Sequence, residues 1–125
     1  MPASVAAFHL AFGPDGYLYV AAPTISSVDT LYRISPEGDI EPFGGIFGRP
    51  QGIAFDSEGR LYVIDALAGA SGLYRLDLSR PTEPEQLLAG GSLIGLAFDP
   101  RGGLIVASTE SVYRFDVPLR GLLPA

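Results

Sequence analysis

One sequence pattern occurs three times in this chain, at a spacing of 43 residues and without a gap. Phe12, Phe55 and Phe98 hold the same place in its three copies. The copies cover residues 9–22 (HLAFGPDGYLYVAA), 52–65 (GIAFDSEGRLYVID) and 95–108 (GLAFDPRGGLIVAS). A fixed period of this size is typical of proteins that are built from one repeated structural unit.

Each copy begins with two predicted strands joined by a tight turn. The first strand is apolar at consecutive positions, as in Ile53-Ala-Phe55, which predicts that both of its faces are covered. The turn has Asp at its first position and Gly at its fourth, as in Asp56-Ser-Glu-Gly59, which favours type I geometry. The second strand, as in Leu61-Tyr-Val-Ile64, is rich in the β-branched and aromatic residues that strands prefer.

Two further strands complete the unit. The third contains a Tyr-Arg pair, whose Tyr residues we expect to pack between units and whose Arg residues we expect to lie at a solvated edge. These pairs are Tyr32-Arg33, Tyr74-Arg75 and Tyr113-Arg114. A weaker fourth strand is predicted at residues 40–43 and 86–89, with a third copy at 121–123.

Four antiparallel strands in about 43 residues correspond to one blade of a β-propeller. A single β-sandwich would not require three copies of one pattern. We therefore predict an all-β fold of three four-stranded antiparallel propeller blades, half of a six-bladed β-propeller. The predicted blades lie at about residues 5–46, 47–91 and 92–125.

Composition excludes several functional classes. The net charge of −6 and the eight scattered Lys and Arg residues argue against nucleic-acid binding, which needs a basic patch. The absence of cysteine excludes disulfides and thiolate metal sites. No stretch reaches the roughly 18 apolar residues of a membrane span, so no membrane partner is expected. Residues 1–8 (MPASVAAF) lack the basic region of a signal peptide, and the compartment stays open.

Three blades are too few to close a ring, since closed propellers have about 4–8 blades. An open arc would expose the apolar faces of its first and last blades as a binding or aggregation surface. Two explanations stay open. Either the chain is part of a longer protein that supplies the missing blades, or two copies associate as a two-fold dimer, the commonest oligomer.

The second repeat resembles the blades of NHL-repeat proteins and of the gluconolactonase (senescence marker protein-like) family. The resemblance rests on residues 49–65 (RPQGIAFDSEGRLYVID) followed by 73–77 (LYRLD), and it extends over all three repeats. It implies a six-bladed propeller, in a family whose members are often periplasmic or extracellular. It implies little about activity, because such blades serve enzymes, ligand-binding sensors and scaffolds.

The enzymes of that family hold calcium or zinc in the central channel through acidic and amide side chains just before certain innermost strands. The matching positions here are Phe8, Gln51 and Ile94. Phe and Ile cannot ligate, and Gln offers one neutral oxygen where calcium takes six or more. We therefore expect no cofactor in these blades; calcium or zinc would require ligands from other blades.

Strand order places the segment before each blade and the loop after its second strand at one end, which we call the channel mouth. A mouth with a few polar groups is where a small polar ligand is expected. The predicted ligand-binding residues are Gln51, Asp65, Arg49 and His9, with Ser108, Glu110 and Asp29 nearby. Structural explanations stay open for three of them: His9 as a space filler, Asp65 as a turn cap, and Gln51 bonded to backbone.

No catalytic residue is predicted, because nothing places a serine beside His9, the only histidine. The acids Asp56 and Asp99 are explained by their turns. The favoured hypothesis is a non-catalytic propeller scaffold or binding module. The alternative is part of a divalent-metal-dependent sugar-lactone hydrolase of the gluconolactonase kind. A sensor or streptogramin-lyase-like domain shares the fold and is a third possibility.

Overall fold

The computed structural model describes residues 9–21, 29–47, 50–65, 71–90, 93–117 and 121. This part of the chain forms eleven strands in three antiparallel sheets and contains no helix, hence none that could span a membrane. The predicted all-β architecture of successive antiparallel blades is confirmed. We call the three sheets blades 1, 2 and 3.

Blades 1 and 2 each have four strands that pair in sequence order. Blade 1 contains β1 (His9–Phe12), β2 (Leu18–Ala21), β3 (Asp29–Ile34) and β4 (Ile40–Phe47). Blade 2 contains β5 (Pro50–Phe55), β6 (Leu61–Asp65), β7 (Gly72–Leu76) and β8 (Glu85–Ala89). Blade 3 contains β9 (Leu93–Phe98), β10 (Leu104–Ser108) and β11 (Val112–Phe115).

The predicted turns join the first two strands of every blade. In blade 2 the backbone N–H of Gly59 donates to the carbonyl of Asp56 at 3.0 Å, the hydrogen bond that closes a β-turn. Gly59 has a φ of 81°, a backbone angle that residues with a Cβ rarely adopt. Gly16 and Gly102 close the other two turns in the same way.

The innermost strands β1, β5 and β9 lie side by side, and each blade packs its face on the next. Between blades 1 and 2, Phe55 inserts beside Tyr19, with ring centroids 5.0 Å apart in an edge-to-face arrangement. Phe43 meets the same Tyr19 ring, also at 5.0 Å. Between blades 2 and 3, Phe98 packs on Tyr62 at 5.1 Å. The cores therefore lie between blades, and each blade needs a neighbour to bury its apolar face.

Among the described residues no blade precedes blade 1, and the burial of β1 corrects one prediction. The first strand was expected to be covered on both faces, but Leu10 and Phe12 of β1 are exposed. Their equivalents Ile53 and Phe55 are buried in the core between blades 1 and 2. The difference arises because each of these positions is covered by the preceding blade.

The predicted fourth strand of blade 3 also differs. Gly121 does not pair with β11 but forms an isolated antiparallel bridge with Asp56 of blade 2. A Cβ at Gly121 would lie 3.0 Å from the Cβ of Phe98, so the backbone passes close beneath β9. Residues 122–123 of the predicted strand lie outside the described residues.

In blades 1 and 2, the Arg side chain of the third strand makes an ion pair across to the fourth strand. Arg33 pairs with Glu41 and Arg75 with Glu85, each directly across from its partner. Arg33 also lies over the ring of Tyr17, 4.7 Å from its centroid. Exposed pairs of this kind contribute little free energy each.

Candidate functional site

The strand register defines the channel mouth. At this end the first residues of β1, β5 and β9 lie opposite the last residues of the second strands. His9 faces Ala21, Pro50 faces Asp65, and Leu93 faces Ser108. The turns that end at Gly16, Gly59 and Gly102 lie at the other end of the blades. The predicted ligand-binding residues within the described part of the chain therefore do lie at one end, on successive blades.

Gln51 is the extra residue of a β-bulge at the mouth. Pro50 pairs with Asp65 and Gly52 with Ile64, so Gln51 has no partner in β6. Bulges redirect a side chain and break regular pairing, and they are common beside binding sites. Gln51 is partly exposed. It stays a predicted ligand-binding residue.

The other predicted residues differ in accessibility. Asp65 is only 4% exposed, at the end of β6. Burial raises the pKa of Tyr74, and the charge of Asp65 raises it further, so the two side chains are neighbours. Burial lowers the pKa of His9, which favours its neutral form. Arg49 lies outside the described residues. A ligand role for Asp65, His9 and Arg49 stays a prediction.

The described residues at the implied ligand positions of the mouth do not supply the donors that a calcium or zinc ion needs. Ile94 stands at one of the implied ligand positions, 45% exposed and without a donor atom. Gln51 supplies one amide at another, and Phe8 lies outside the described residues. Nowhere in the described ranges do three His, Cys, Asp or Glu side chains come together in a group that could hold a metal. These residues therefore do not fit the implied ion.

At the opposite end, a buried carboxylate holds the turn of blade 2. Asp56 is 1% exposed, and its Oδ1 accepts the backbone N–H groups of Glu58 and Arg60 at 3.0 and 2.9 Å. Its Oδ2 accepts Nε of Arg60 at 2.8 Å and the hydroxyl of Tyr62 at 3.0 Å. Every acceptor direction is occupied, so the turn interpretation of Asp56 is confirmed.

Asp99 holds the equivalent turn of blade 3 with a different partner. The backbone N–H of Arg101 donates to its Oδ1 at 2.9 Å, and Arg114 of β11 approaches its Oδ2 at 3.1 Å. The backbone donor, more than the two Arg charges, keeps the pKa of Asp99 below its usual range. Ile105 replaces the buried tyrosine here, so Asp99 has no hydroxyl to accept.

In blade 1, the carboxylate of the turn stands two residues later in the sequence than in blades 2 and 3. Gly13 stands where Asp56 and Asp99 stand, and Asp15 accepts the Tyr19 hydroxyl instead, at 2.7 Å. Burial raises the pKa of Tyr19, and the hydrogen bond to Asp15 adds to this effect, so that the pKa is about 12. A Cβ at Gly13 would lie 2.7 Å from the Tyr19 ring.

A groove of about 390 Å³ lies on the mouth side between blades 2 and 3. Val106, Tyr113 and Phe115 of blade 3 form one wall, and Leu88 and Gly90 of blade 2 form the other. Ser108, Thr109 and Glu110 form its polar rim. Sequence reasoning placed Ser108 and Glu110 near the mouth but missed the groove, and it expected Tyr113 to pack between blades. Tyr113 is instead 49% exposed.

The comparisons with known proteins concern the fold. No protein-family model matches the sequence, and no curated protein matches it. A gluconolactonase from Xanthomonas campestris, described as important in glucose secondary metabolic pathways, matches the structure with a TM-score of 0.71 and 19% identity. The match covers 99% of this chain and 50% of the other.

Two further solved structures are similar. A candidate gluconolactonase has a TM-score of 0.64 and 23% identity over 92% of this chain and 47% of its own. A protein of unknown function from Bacteroides thetaiotaomicron has a TM-score of 0.57 and 20% identity over 86% of this chain and 32% of its own. The chain therefore spans about half the length of the two gluconolactonase structures and has the fold of the matching part of their β-propellers.

Proposed function

We propose that this chain is half of a six-bladed β-propeller and that two copies close the ring as a two-fold dimer. The closed ring is a non-catalytic binding scaffold whose channel mouth, around Gln51, takes a small polar ligand. The observation that carries the proposal is the exposure of Leu10 and Phe12 in β1, because the same strand positions are buried in blade 2 and partly buried in blade 3.

The first end of the arc has an apolar face without a partner. Leu10 and Phe12 are 55% and 69% exposed, whereas their equivalents Ile53 and Phe55 are 8% and 4% exposed. Ile53 and Phe55 are covered by Tyr19, Leu31 and Phe43 of the preceding blade. Leu10 and Phe12 would therefore be buried if a blade of the same kind packed against β1.

The last end presents the complementary face. Val112 of β11 is 72% exposed, whereas its equivalents Leu31 and Leu73 are fully buried beneath the next blade. Ile105 and Ala107 stand beside it, at the positions of Tyr19 and Ala21. This face would receive a strand such as β1 of a second copy.

A two-fold axis satisfies both ends at once, since each copy contributes one end of each kind to its partner. The length comparison supports six blades: three blades here match half of the Xanthomonas campestris gluconolactonase. Burying two faces of this type removes large exposed apolar side chains from water, which is the main driving force for association.

The ring-closure proposal is tested by mass in solution. We expect light scattering after size exclusion to give about twice the chain mass of 13.2 kDa. Phe12→Asp should give a folded monomer, because Phe12 belongs to neither core cluster of the described residues and the charge would block the junction. Val112→Asp at the other end should act in the same way. A wild-type chain that is folded and monomeric contradicts the proposal.

The second candidate is a contribution to a sugar-lactone hydrolase, with the missing blades supplying the metal ligands. It is favoured by the fold similarity to the Xanthomonas campestris gluconolactonase. The residues of these three blades would then form part of the channel wall, with Gln51 as their one donor at the ligand positions.

Lactone hydrolysis by the purified chain would exclude the non-catalytic scaffold. The purified chain is mixed with glucono-δ-lactone and calcium, and acid release is followed at constant pH against the spontaneous rate. For the scaffold we expect no acceleration. Acceleration that chelator abolishes and Gln51→Ala weakens would establish the hydrolase; acceleration unchanged by Gln51→Ala would point to a contaminating enzyme and leave the scaffold standing.

A further inference from the structure

The groove between blades 2 and 3 has a filled counterpart in the same chain, between blades 1 and 2. There, Phe47 at the end of β4 packs on Tyr74 of β7, with ring centroids 6.1 Å apart at an interplanar angle of 73°. Phe47 is 5% exposed and belongs to the same core cluster as Val63 and Leu76.

The walls of the groove match that core residue by residue. Val106 stands at the position of Val63, Tyr113 at that of Tyr74, and Phe115 at that of Leu76. The strand pairings extend the match to the outer strands. Phe47 lies opposite Asp29, two residues before Leu31; Gly90 bonds to the carbonyl of Ser71, two residues before the equivalent Leu73.

Gly90 therefore stands where Phe47 stands, and the groove is the space of a missing aromatic ring. Two observations show that no other described residue fills this space. A Cβ built on Gly90 meets no atom within 4 Å, and Tyr113, without the ring that covers Tyr74, is 49% exposed. Aromatic rings prefer edge-to-face contacts at the distance that Phe47 and Tyr74 adopt, so the Tyr113 face is a preformed partner for a ring.

The polar rim selects among aromatic ligands. The hydroxyl of Ser108 is already bonded to the backbone of Glu110 and Ser111, so it holds the β10–β11 loop. The Glu110 side chain is exposed at the groove edge and brings a negative charge, in a chain whose net charge is −6. A ligand whose ring enters the groove would place a cationic group favourably beside Glu110.

We propose that this groove is a binding site for a small molecule with one aromatic ring and a cationic amine, of phenethylamine size. The ring takes the place that Phe47 fills at the other junction, with its edge on Tyr113. The amine lies at the rim beside Glu110. Both walls belong to one chain, so this site does not depend on ring closure.

Titration of the wild-type chain with phenethylamine, followed by amide and aromatic NMR shifts, tests the proposal. We expect a Kd of about 1 mM, as for other ligands of this size, with the largest shifts at Gly90 and Tyr113. 2-Phenylethanol, which has the same length but lacks the charge, should bind about two- to fivefold more weakly. Glu110→Gln should remove that difference.

Gly90→Phe is the decisive variant, because it supplies the missing ring from within the chain. We expect a higher Tm and at least about tenfold weaker phenethylamine binding. Gly95→Phe is the matched control: a Cβ there also meets no atom within 4 Å, and Gly95 does not line the groove. It should leave the affinity unchanged.

Three outcomes overturn the proposal. The first is no binding by the wild-type chain. The second is equal affinity in Gly90→Phe and the wild type. The third is a lower Tm for Gly90→Phe than for Gly95→Phe, which would mean that the chain itself already fills the groove. Binding without any preference for the amine would overturn the assignment to Glu110 and to a cation.

Discussion

Phe55→Ala is expected to lower the free energy of unfolding by about 3–5 kcal/mol, the usual cost of truncating a buried phenylalanine. Phe55 is 4% exposed and meets the Tyr19 ring edge to face at 5.0 Å. The truncation would leave a cavity in the core that joins blades 1 and 2. Urea denaturation monitored by far-UV circular dichroism measures the loss.

Phe12→Ala is the matched control, because Phe12 is the same residue type at the same repeat position. In a chain that is monomeric, this change should cost no more than about 0.5 kcal/mol, since Phe12 is 69% exposed. In a closed dimer it should cost much more, and the loss should vary with protein concentration. The loss for Phe55→Ala should not vary in this way. Equal, concentration-independent losses would contradict the assignment of Phe12 to an open junction.

Asp56→Ala is expected to cost about 3 kcal/mol, because it leaves a buried network without its acceptor. The Tyr62 hydroxyl and the backbone N–H groups of Glu58 and Arg60 would lose their partner, and the Arg60 guanidinium would lose its buried counter-charge. Asp56→Asn keeps one carbonyl oxygen and should cost less. Thermal and urea unfolding of the three chains measures the order.

Asp77→Ala provides the exposed counterpart. Asp77 caps its turn through the backbone N–H and hydroxyl of Ser79, at 2.9 and 2.7 Å, but its carboxylate faces solvent. Its removal should cost clearly less than the removal of Asp56, since water replaces the lost acceptor. If Asp56→Ala costs no more than Asp77→Ala, burial of the Asp56 network is not what stabilises this turn.

The repeat pattern was sufficient for the fold because one set of local signals recurs three times. Apolar strand positions, the Asp and Gly of each turn, and the Tyr-Arg pair of the third strand predicted the three sheets and the interblade core. The exposure of Leu10 and Phe12 could not be seen locally, because burial of these positions depends on a neighbouring blade and not on the strand itself.

The groove was missed because its signal lies in the least periodic strands. The equivalence of Phe47 and Gly90 can be recognised only from the strand register. That register contains two bulges of different size, at Thr30/Leu31 in blade 1 and at Leu73/Tyr74 in blade 2. A sequence comparison at a fixed spacing of 43 residues from Phe47 reaches Gly90 but gives no reason to compare them, since the strands between them differ in length. The bulge that leaves Gln51 without a partner in β6 could not be predicted from the repeat pattern either.

The displaced acid of blade 1 limits how the three repeats can be recombined. A consensus of the copies would put Asp at the first turn position, as Asp56 and Asp99 have it. In blade 1 that Cβ would strike the Tyr19 ring, and a second carboxylate would stand beside a hydroxyl that Asp15 already accepts. Gly13 and Asp15 have thus become dependent on each other. A consensus turn would therefore have to change both positions together, and averaging the three repeats would weaken the blade that departs most from the average.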